Sequence, residues 1–579
     1  MQTHPLAYSL HRLIHRLGWL ALSLTTASTA LAQTEALADE AAPWPATDYW
    51  RLTVNSNQDG IAEADAALTL REAIELTNGT LTLADLSEQE RQQVSPTVER
   101  SLIAFDLSEG ETAIALTAPL PDILQPGLTI DGSTQPGYEV PNAIGDAMDA
   151  ERSVPVPVVE LTVASGAEVL RGLTVVASSV TIRGLSLYGF TSTHNATATT
   201  PPAAIFIAHR LPPPDISEQA VPSRYFAFSD ENLPPQNILI EHNWLGRPPS
   251  GQSPGVSSAF GISIFNGRGV IIRRNHISHH DGSGIISGAR AEATEIVENI
   301  IVNNGLSGMP DAIRLEGRID DSRIANNIIS GNSGSGIFLF KPEGAVEIRQ
   351  NAICANGQLY RRAAIYLMGS DHQVLDNLIT EQSGAGVVVT AFSQGNVTHS
   401  QRNIILGNRF SQLDGLSIDL NTRRHVGAQD FQRGDGSNPI RNSTHRRWET
   451  GNSAINAPQF LSAEFYLING TVELQGQVDP GSEVYLYRTV GSRGEYGPLT
   501  EPLATVAADA DGHFSYRTTE LVEGDWISAI ATDPNYGTSE PALNTTILSL
   551  GEPEQSSPLS VDETSPRSCL LHAGSQPAP

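Results

Sequence analysis

The densest run of titratable side chains is His276-Ile-Ser-His279-His280-Asp281. Imidazoles beside a carboxylate suit a transition-metal site or an acid–base pair. Neighbouring side chains of an extended segment point to opposite faces, however, so His279 and His280 do not readily chelate one ion. Asp281-Gly282 is also an ordinary turn dipeptide. A second group holds Asp311, Glu316, Asp320 and Asp321, with Arg314 among them. Glycoside hydrolysis needs two carboxyl groups, and β-elimination of a uronate needs a base helped by an arginine or Ca2+. Asp311, Arg314, Glu316, Asp320 and Asp321 are therefore the candidate catalytic residues, set against a plainer reading as solvated acidic turns. A third group, Asp419, Asp430, Asp435 and Asn438, offers hard oxygen donors of the kind Ca2+ takes, although without EF-hand spacing.

Composition narrows the chemistry further. The 579 residues carry a formal charge of −29, with 35 basic residues against 64 acidic ones, and Lys341 is the one lysine. Such an acidic balance argues against nucleic-acid or anionic-membrane partners. Any Schiff base or ammonium clamp must use Lys341 or be absent. Two cysteines, Cys354 and Cys569, exclude a disulfide-dense scaffold and a four-cysteine zinc site. Residues 1–32 read as a secretory signal peptide, with Arg12 and Arg16, the apolar run Leu17–Leu24 and the cleavage form Ala30-Leu31-Ala32. No later stretch is long enough to span a bilayer. The expected location is the periplasm, the cell surface or the medium.

The positioning elements repeat. Ile238-Leu-Ile-Glu-His-Asn243, Val270-Ile-Ile-Arg-Arg-Asn275 and Thr294-Glu-Ile-Val-Glu-Asn299 share one pattern, which returns before Asn327, Asn351, Asn377 and Asn408. The asparagines are 32, 24, 28, 24, 26 and 31 residues apart. Between them runs a second strand such as Gly336-Ile-Phe-Leu or Ala364-Ile-Tyr-Leu. Short strands of period two cannot bury their apolar faces alone, but stacked as solenoid coils they share one core. The repeated asparagine suits a left-handed corner and coil-to-coil amide bonding, so it is structural. Leu68–Asn78, with a Thr69/Glu72 capping box, suits a helix that closes the first coil.

These residues resemble the bacterial secreted right-handed parallel β-helix repeat proteins. The resemblance lies in Leu70-Arg-Glu-Ala-Ile74, in Leu120-Pro-Asp-Ile123 leading to Ile130-Asp-Gly-Ser-Thr-Gln-Pro-Gly-Tyr138, and in the asparagine repeats. It implies an all-β, pectate-lyase-like solenoid, here of about ten or eleven coils and on the order of 50 Å at one strand spacing per coil. It implies no single reaction, and the Asn-Thr-Asp, Asp-Asp and Gly-His-Gly set of pectinases does not appear together. The expected domains are a cap region at 33–126, the β-helix at 127–456, an Ig-like β-sandwich at 457–550 and a disordered tail at 551–579. Residues 199–235, with Pro-rich clusters around Tyr225-Phe-Ala-Phe228, depart from the repeat.

Alternation then assigns faces. Outward positions stack as Ser263, Ile286, Arg314, Phe338, Tyr366, Val388 and Ser417, beside Phe265, Gly288, Glu316, Phe340, Met368, Thr390 and Asp419. Phe338, Phe340, Tyr366 and Met368 thus form an apolar patch with Lys341 at its rim. Either another segment covers it, or it is a platform for sugar rings with Arg314 and Lys341 pairing glycan carboxylates. The leading expectation is an exported protein with a carbohydrate-binding or surface-structural role. A polysaccharide lyase or glycoside hydrolase comes second. A periplasmic metal-handling β-helix, resting on His276–Asp281, comes third.

Overall fold

The computed structural model describes residues 49–139, 154–191, 201–209, 234–391, 400–422, 433–440 and 450–549. The expected leader, the tail, Tyr225–Phe228 and Asp430 lie outside the described residues. One compact unit, comprising Trp50–Ser95 and Glu99 onward, holds both the solenoid and the C-terminal module, while Tyr49 and Pro96–Val98 fall in another.

Three parallel sheets of twelve, ten and nine strands run the length of a right-handed parallel β-helix. From Thr129 to Asn421 each coil contributes one short strand to each sheet, and the register puts equivalent residues on top of one another. In the first sheet Ile240, Ile272, Ile296, Ile324, Ile348, Val374 and Ile405 pair in sequence. The third sheet stacks Ile262, Ile285, Ile313, Ile337, Ile365, Val387 and Ile418 in the same way. All of these side chains are buried, and burying each is worth about 1.5–3 kcal/mol. The β-branched excess in the sequence is the cost-free way to fill such a stack, because one preferred rotamer repeats from coil to coil.

The asparagines form a continuous ladder. Asn243, Asn275, Asn299, Asn327, Asn351 and Asn377 each donate both the backbone N–H and the side-chain Nδ2 to the Oδ1 of the next asparagine, ending at Asn408. Each Nδ2 of the ladder also donates to a main-chain carbonyl of the first-sheet strand one coil earlier, as Asn327 does to Ile296 at 2.8 Å. The left-handed residue is not the asparagine but the one before it, as with Arg274, Glu298, Asn326 and Gln350 at φ from 52° to 57°. The amide is therefore selected for its hydrogen bonds, and its exposed predecessor or side neighbour takes the strained angle. A second ladder, Asn304 to Asn332 to Asn356, lies at the corner between the second and third sheets.

Three boundaries differ from expectation. Leu102–Phe105 pairs in register with Thr129–Asp131, so coiling begins inside the expected cap region. Ala203–Ile207 is a strand of the third sheet, between Arg171–Val175 and Ile262–Arg268, although it falls in the segment that breaks the repeat. In the last coil Val388 pairs with Asp419 and Thr390 with Asn421, so the strand is Ile418–Asn421, two residues later than the Gly415 pattern suggests. The capping helix is as expected: Leu70–Asn78 starts at a Thr69/Glu72 capping box and stops at Gly79, at φ 72°. Its Leu70, Ala73 and Ile74 join the solenoid core.

The C-terminal module is a sandwich of a three-stranded and a six-stranded sheet around Leu474, Val484, Leu486, Phe514, Ile527 and Ile547. Most of its pairs are antiparallel, and Glu464–Leu467 lies parallel to Thr545–Ser549. Asn327→Ala is expected to strand the N–H of Asn299 and the carbonyl of Ile296, lowering stability by about 3 kcal/mol. Asn326→Gly, at the left-handed position, is expected to stay within about 0.5 kcal/mol of the parent. Chemical denaturation followed by circular dichroism checks both, and equal effects would refute the division of labour.

Candidate functional site

Charged groups concentrate where the turns entering the third sheet stack. Asp311 precedes the strand Ile313–Arg318 and is fully buried. Its Oδ1 accepts from the Ser335 N–H at 2.8 Å and from Arg362 Nη1 at 3.1 Å. Its Oδ2 lies 3.9 Å from Arg314 Nη1 and has no hydrogen-bond partner. A side chain at Gly334 would meet Oδ1 at 2.5 Å, so glycine is what allows this approach. Burial pushes the carboxyl of Asp311 above its ordinary range, and Arg362 and then Arg314 pull it back.

Two guanidiniums thus share one buried carboxylate. Arg314 also donates to Glu316 at 3.2 Å and lies over the rings of Phe338 and Phe340, at 4.8 and 4.6 Å. Lys341 is exposed at φ 48°, with Nζ 5.0 Å from the Phe340 ring centre. On the other side Arg362 covers Tyr360 at 4.8 Å, and Arg433 donates to the Tyr360 carbonyl. Arg361, 68 % exposed, pairs with Asp414 at 3.4 Å. Among the described residues five cations face three carboxylates along this strip, in a chain of charge −29.

The sequence-level candidates separate. Asp311, Arg314 and Glu316 come together. Asp320 and Asp321 are exposed at the opposite end of the same strand, beside Glu295, Glu347 and Asp371. The carboxylate constellation therefore does not form, because an extended strand holds its two ends apart. Phe338, Tyr366 and Met368 are at most 2 % exposed and pack with Ala363, Ala385 and Val388. They cannot offer ring faces to sugars, and the platform reading is corrected to Phe340 and Lys341 at the surface. Arg361, Arg362, Arg433 and Tyr360 were missed, because the turns carrying them have no fixed length from coil to coil.

The histidine run is structural. His280 is buried, with Nδ1 2.8 Å from Asn304 Oδ1, and is the first rung of the second amide ladder. His276 packs on Trp244 at 5.4 Å between ring centres, with Nε2 3.1 Å from Arg247. Burial holds both imidazoles well below the ordinary range, His276 at about 3 and His280 at about 4.

Of the expected calcium ligands, Asp419, Asp435 and Asn438 meet at the joint between solenoid and sandwich, together with Glu540. Asp419 accepts from the N–H groups of Asp435 and Gly436 at 3.1 and 2.9 Å. Glu540, from the sandwich, accepts from the Leu420 N–H at 3.0 Å and from Asn438 at 2.6 and 2.8 Å. The Asp435 carboxylate in turn takes the Thr422 N–H at 3.1 Å. The carboxylates gather around amide donors rather than a common centre. Among the described residues the one group of three whose donor atoms converge is Asp509, Asp511 and His513, exposed in a sandwich turn.

A protein family described as "Periplasmic copper-binding protein (NosD)" matches residues 253–414, less than half of the chain. No curated protein matches the sequence. Similar solved structures include the Dettilon tailspike protein gp208, at 11 % identity and TM-score 0.36, covering 72 % of this chain and 83 % of that one. Pectate lyase Pel9A is 13 % identical with TM-score 0.28, covering 70 % and 93 %. The periplasmic alginate epimerase AlgG is 13 % identical with TM-score 0.28, covering 55 % and 73 %. Copper favours imidazole and sulfur donors. In the matched segment His276, His280 and His372 are buried and separately engaged, His372 through Met368 O and the Val346 N–H. Nδ1 of His276 and His279 and Nε2 of His280 carry no hydrogen-bond partner, but among the described residues these donors do not form a converging group of three, so the run offers the metal-handling expectation no assembled site.

The joint should be sensitive to protons. Burial raises Asp419 to about 7, against the pull of the Gly436 N–H and with help from the Asp435 charge, and burial followed by the Asp419 charge raises Glu540 to about 8. The folded state keeps protons that the unfolded chain releases near pH 4, so this contribution is full at low pH and is lost as pH rises through 7 and 8. The melting temperature is expected to fall between about pH 4 and 8 and then level off, and Asp419→Asn with Glu540→Gln should flatten that slope. A flat parent profile refutes this, and a calcium-dependent melting temperature at fixed pH would identify an ion instead.

Proposed function

We propose that this chain is an extracytoplasmic β-helix protein that binds an anionic polysaccharide along the strip from Arg433 through Arg362 and Arg314 to Lys341. The observation that carries the reading is the pair of guanidiniums over one buried carboxylate. Asp311 fixes both arginines while Glu316 pairs with Arg314 alone, and the buried ring of Phe338 is a rigid, low-dielectric floor beneath Arg314. A planar guanidinium held in this way suits bidentate pairing with a uronate or sulfate. Cations from the strands Ile313–Arg318 and Ile337–Glu343 and from the segments carrying Arg361, Arg362 and Arg433 thus follow one another across successive coils, which suits a polymer better than a compact ligand. Among the described residues no helix is long and apolar enough to cross a membrane.

Cleavage by an acid pair would need carboxyls free to move protons, whereas Asp311 is sealed from solvent and the partly exposed Glu316 is held by Arg314. Binding is therefore the function the geometry supports best. Affinity for polygalacturonate or alginate, measured by calorimetry at low salt, is expected to fall more than tenfold in Arg314→Gln/Arg362→Gln, at about 1.4 kcal/mol per tenfold. Lys341→Ala, at an exposed position, should cost about threefold, and added salt should weaken the parent. Affinity for a neutral glucan should not change. An unaltered uronate affinity in the double variant would sink the proposal, and ultraviolet absorbance of an unsaturated uronate would replace binding with elimination.

A further inference from the structure

A cavity of about 520 Å³ opens in the sandwich where residues 455–463 pass the loops at 493–496 and 540–544. That size lies in the range of small-molecule sites. One wall is apolar, with Ile455, Phe460, Ala542 and Leu543. Phe460 is fixed by edge contacts to Phe465 and Phe514, at 6.1 and 6.0 Å. Leu543 is 48 % exposed on this wall.

The opposite wall has hydrogen-bonding capacity to spare. Asn544 is 3 % exposed, and its side chain makes one donor and one acceptor bond, both to Gly497 at 2.9 Å. An amide carries two N–H donors and a two-lone-pair oxygen, so one donor and one acceptor position are left over. Arg493, 70 % exposed, makes one ion pair, 3.3 Å to Glu464, and keeps most of its five donors. Glu540 closes the back, with both oxygens engaged by Asn438. A purely apolar guest would leave the donors of Asn544 and Arg493 unused. A bare metal ion would find the one buried carboxylate already occupied.

We propose that this cavity is a saccharide subsite, built for one uronic acid residue whose carboxylate pairs with Arg493 and whose ring packs between Tyr496 and the Phe460 wall. Hydroxyls on the ring edge meet the spare amide positions of Asn544, and its C–H face meets the apolar wall. The subsite stands independently of the β-helix strip.

The test uses the full chain carrying Arg314→Gln/Arg362→Gln, so that binding at the strip does not contribute. Digalacturonate, galactobiose and benzoate are the probes, read by saturation-transfer difference NMR and calorimetry. Digalacturonate is expected to bind one per chain, more tightly than either of the others. Arg493→Ala should weaken it about tenfold, the loss of one charge-assisted pair, and Tyr496→Ala should abolish transfer to the ring protons. Circular dichroism confirms folding, and both positions are accessible enough to substitute. Absence of digalacturonate binding, equal affinity after Arg493→Ala, or tighter binding of benzoate would each overturn the proposal.

Discussion

Everything in this chain depends on satisfying a buried amide at every coil. A solenoid turns its backbone sharply at each corner, and a corner packed against its neighbours cannot be hydrated. The asparagine ladder meets this by giving each coil's N–H and carbonyl a side-chain partner one coil away. The spacing this enforces is that of the sheets, so the amides and the isoleucine stacks reinforce one register. A single slip would cost both at once, which is why strands of only three residues keep their places.

That register decides what the surface can be. Outward side chains in the third sheet stack like inward ones, and the large ones, Phe338 and Tyr366, become a second buried layer. Charge is pushed to the turns. On the first sheet opposite charges alternate between coils, as in Arg183 with Asp131 and Arg273 with Glu241. At the turns entering the third sheet the compensation is incomplete, and the cationic strip results. Arginine suits such stacking better than lysine because its planar head lies flat on a ring while its donors fork sideways, consistent with a chain that has one lysine.

The solenoid's open end is handled differently. The helix Leu70–Asn78 closes the first coil with apolar side chains, whereas the last coil meets the sandwich both through Tyr487, Leu499 and Ile530, which join the solenoid core, and through the polar set of Asp419, Asn438 and Glu540. Asn403 and Asn452 continue the amide logic there, with Asn452 donating to Thr538 O. The sandwich therefore extends the solenoid's hydrogen bonding instead of ending it.

The sequence by itself determined the coils, the capping box at Thr69 and the sandwich strands, because each follows from local periodicity or a short-range hydrogen bond. It also named Asp311, Arg314, Glu316 and Lys341, since alternation within one strand fixes their faces. Only the tertiary structure decided which of these meet. Arg362 reaches Asp311 from two turns away in the stack, Glu540 reaches Leu420 across 120 residues, and His280 joins an amide ladder rather than a metal. Such contacts depend on turn lengths that vary from coil to coil, and burial of Phe338 and Tyr366 depends on what packs over an outward face. Periodicity states which way a side chain points; it does not state what is waiting there.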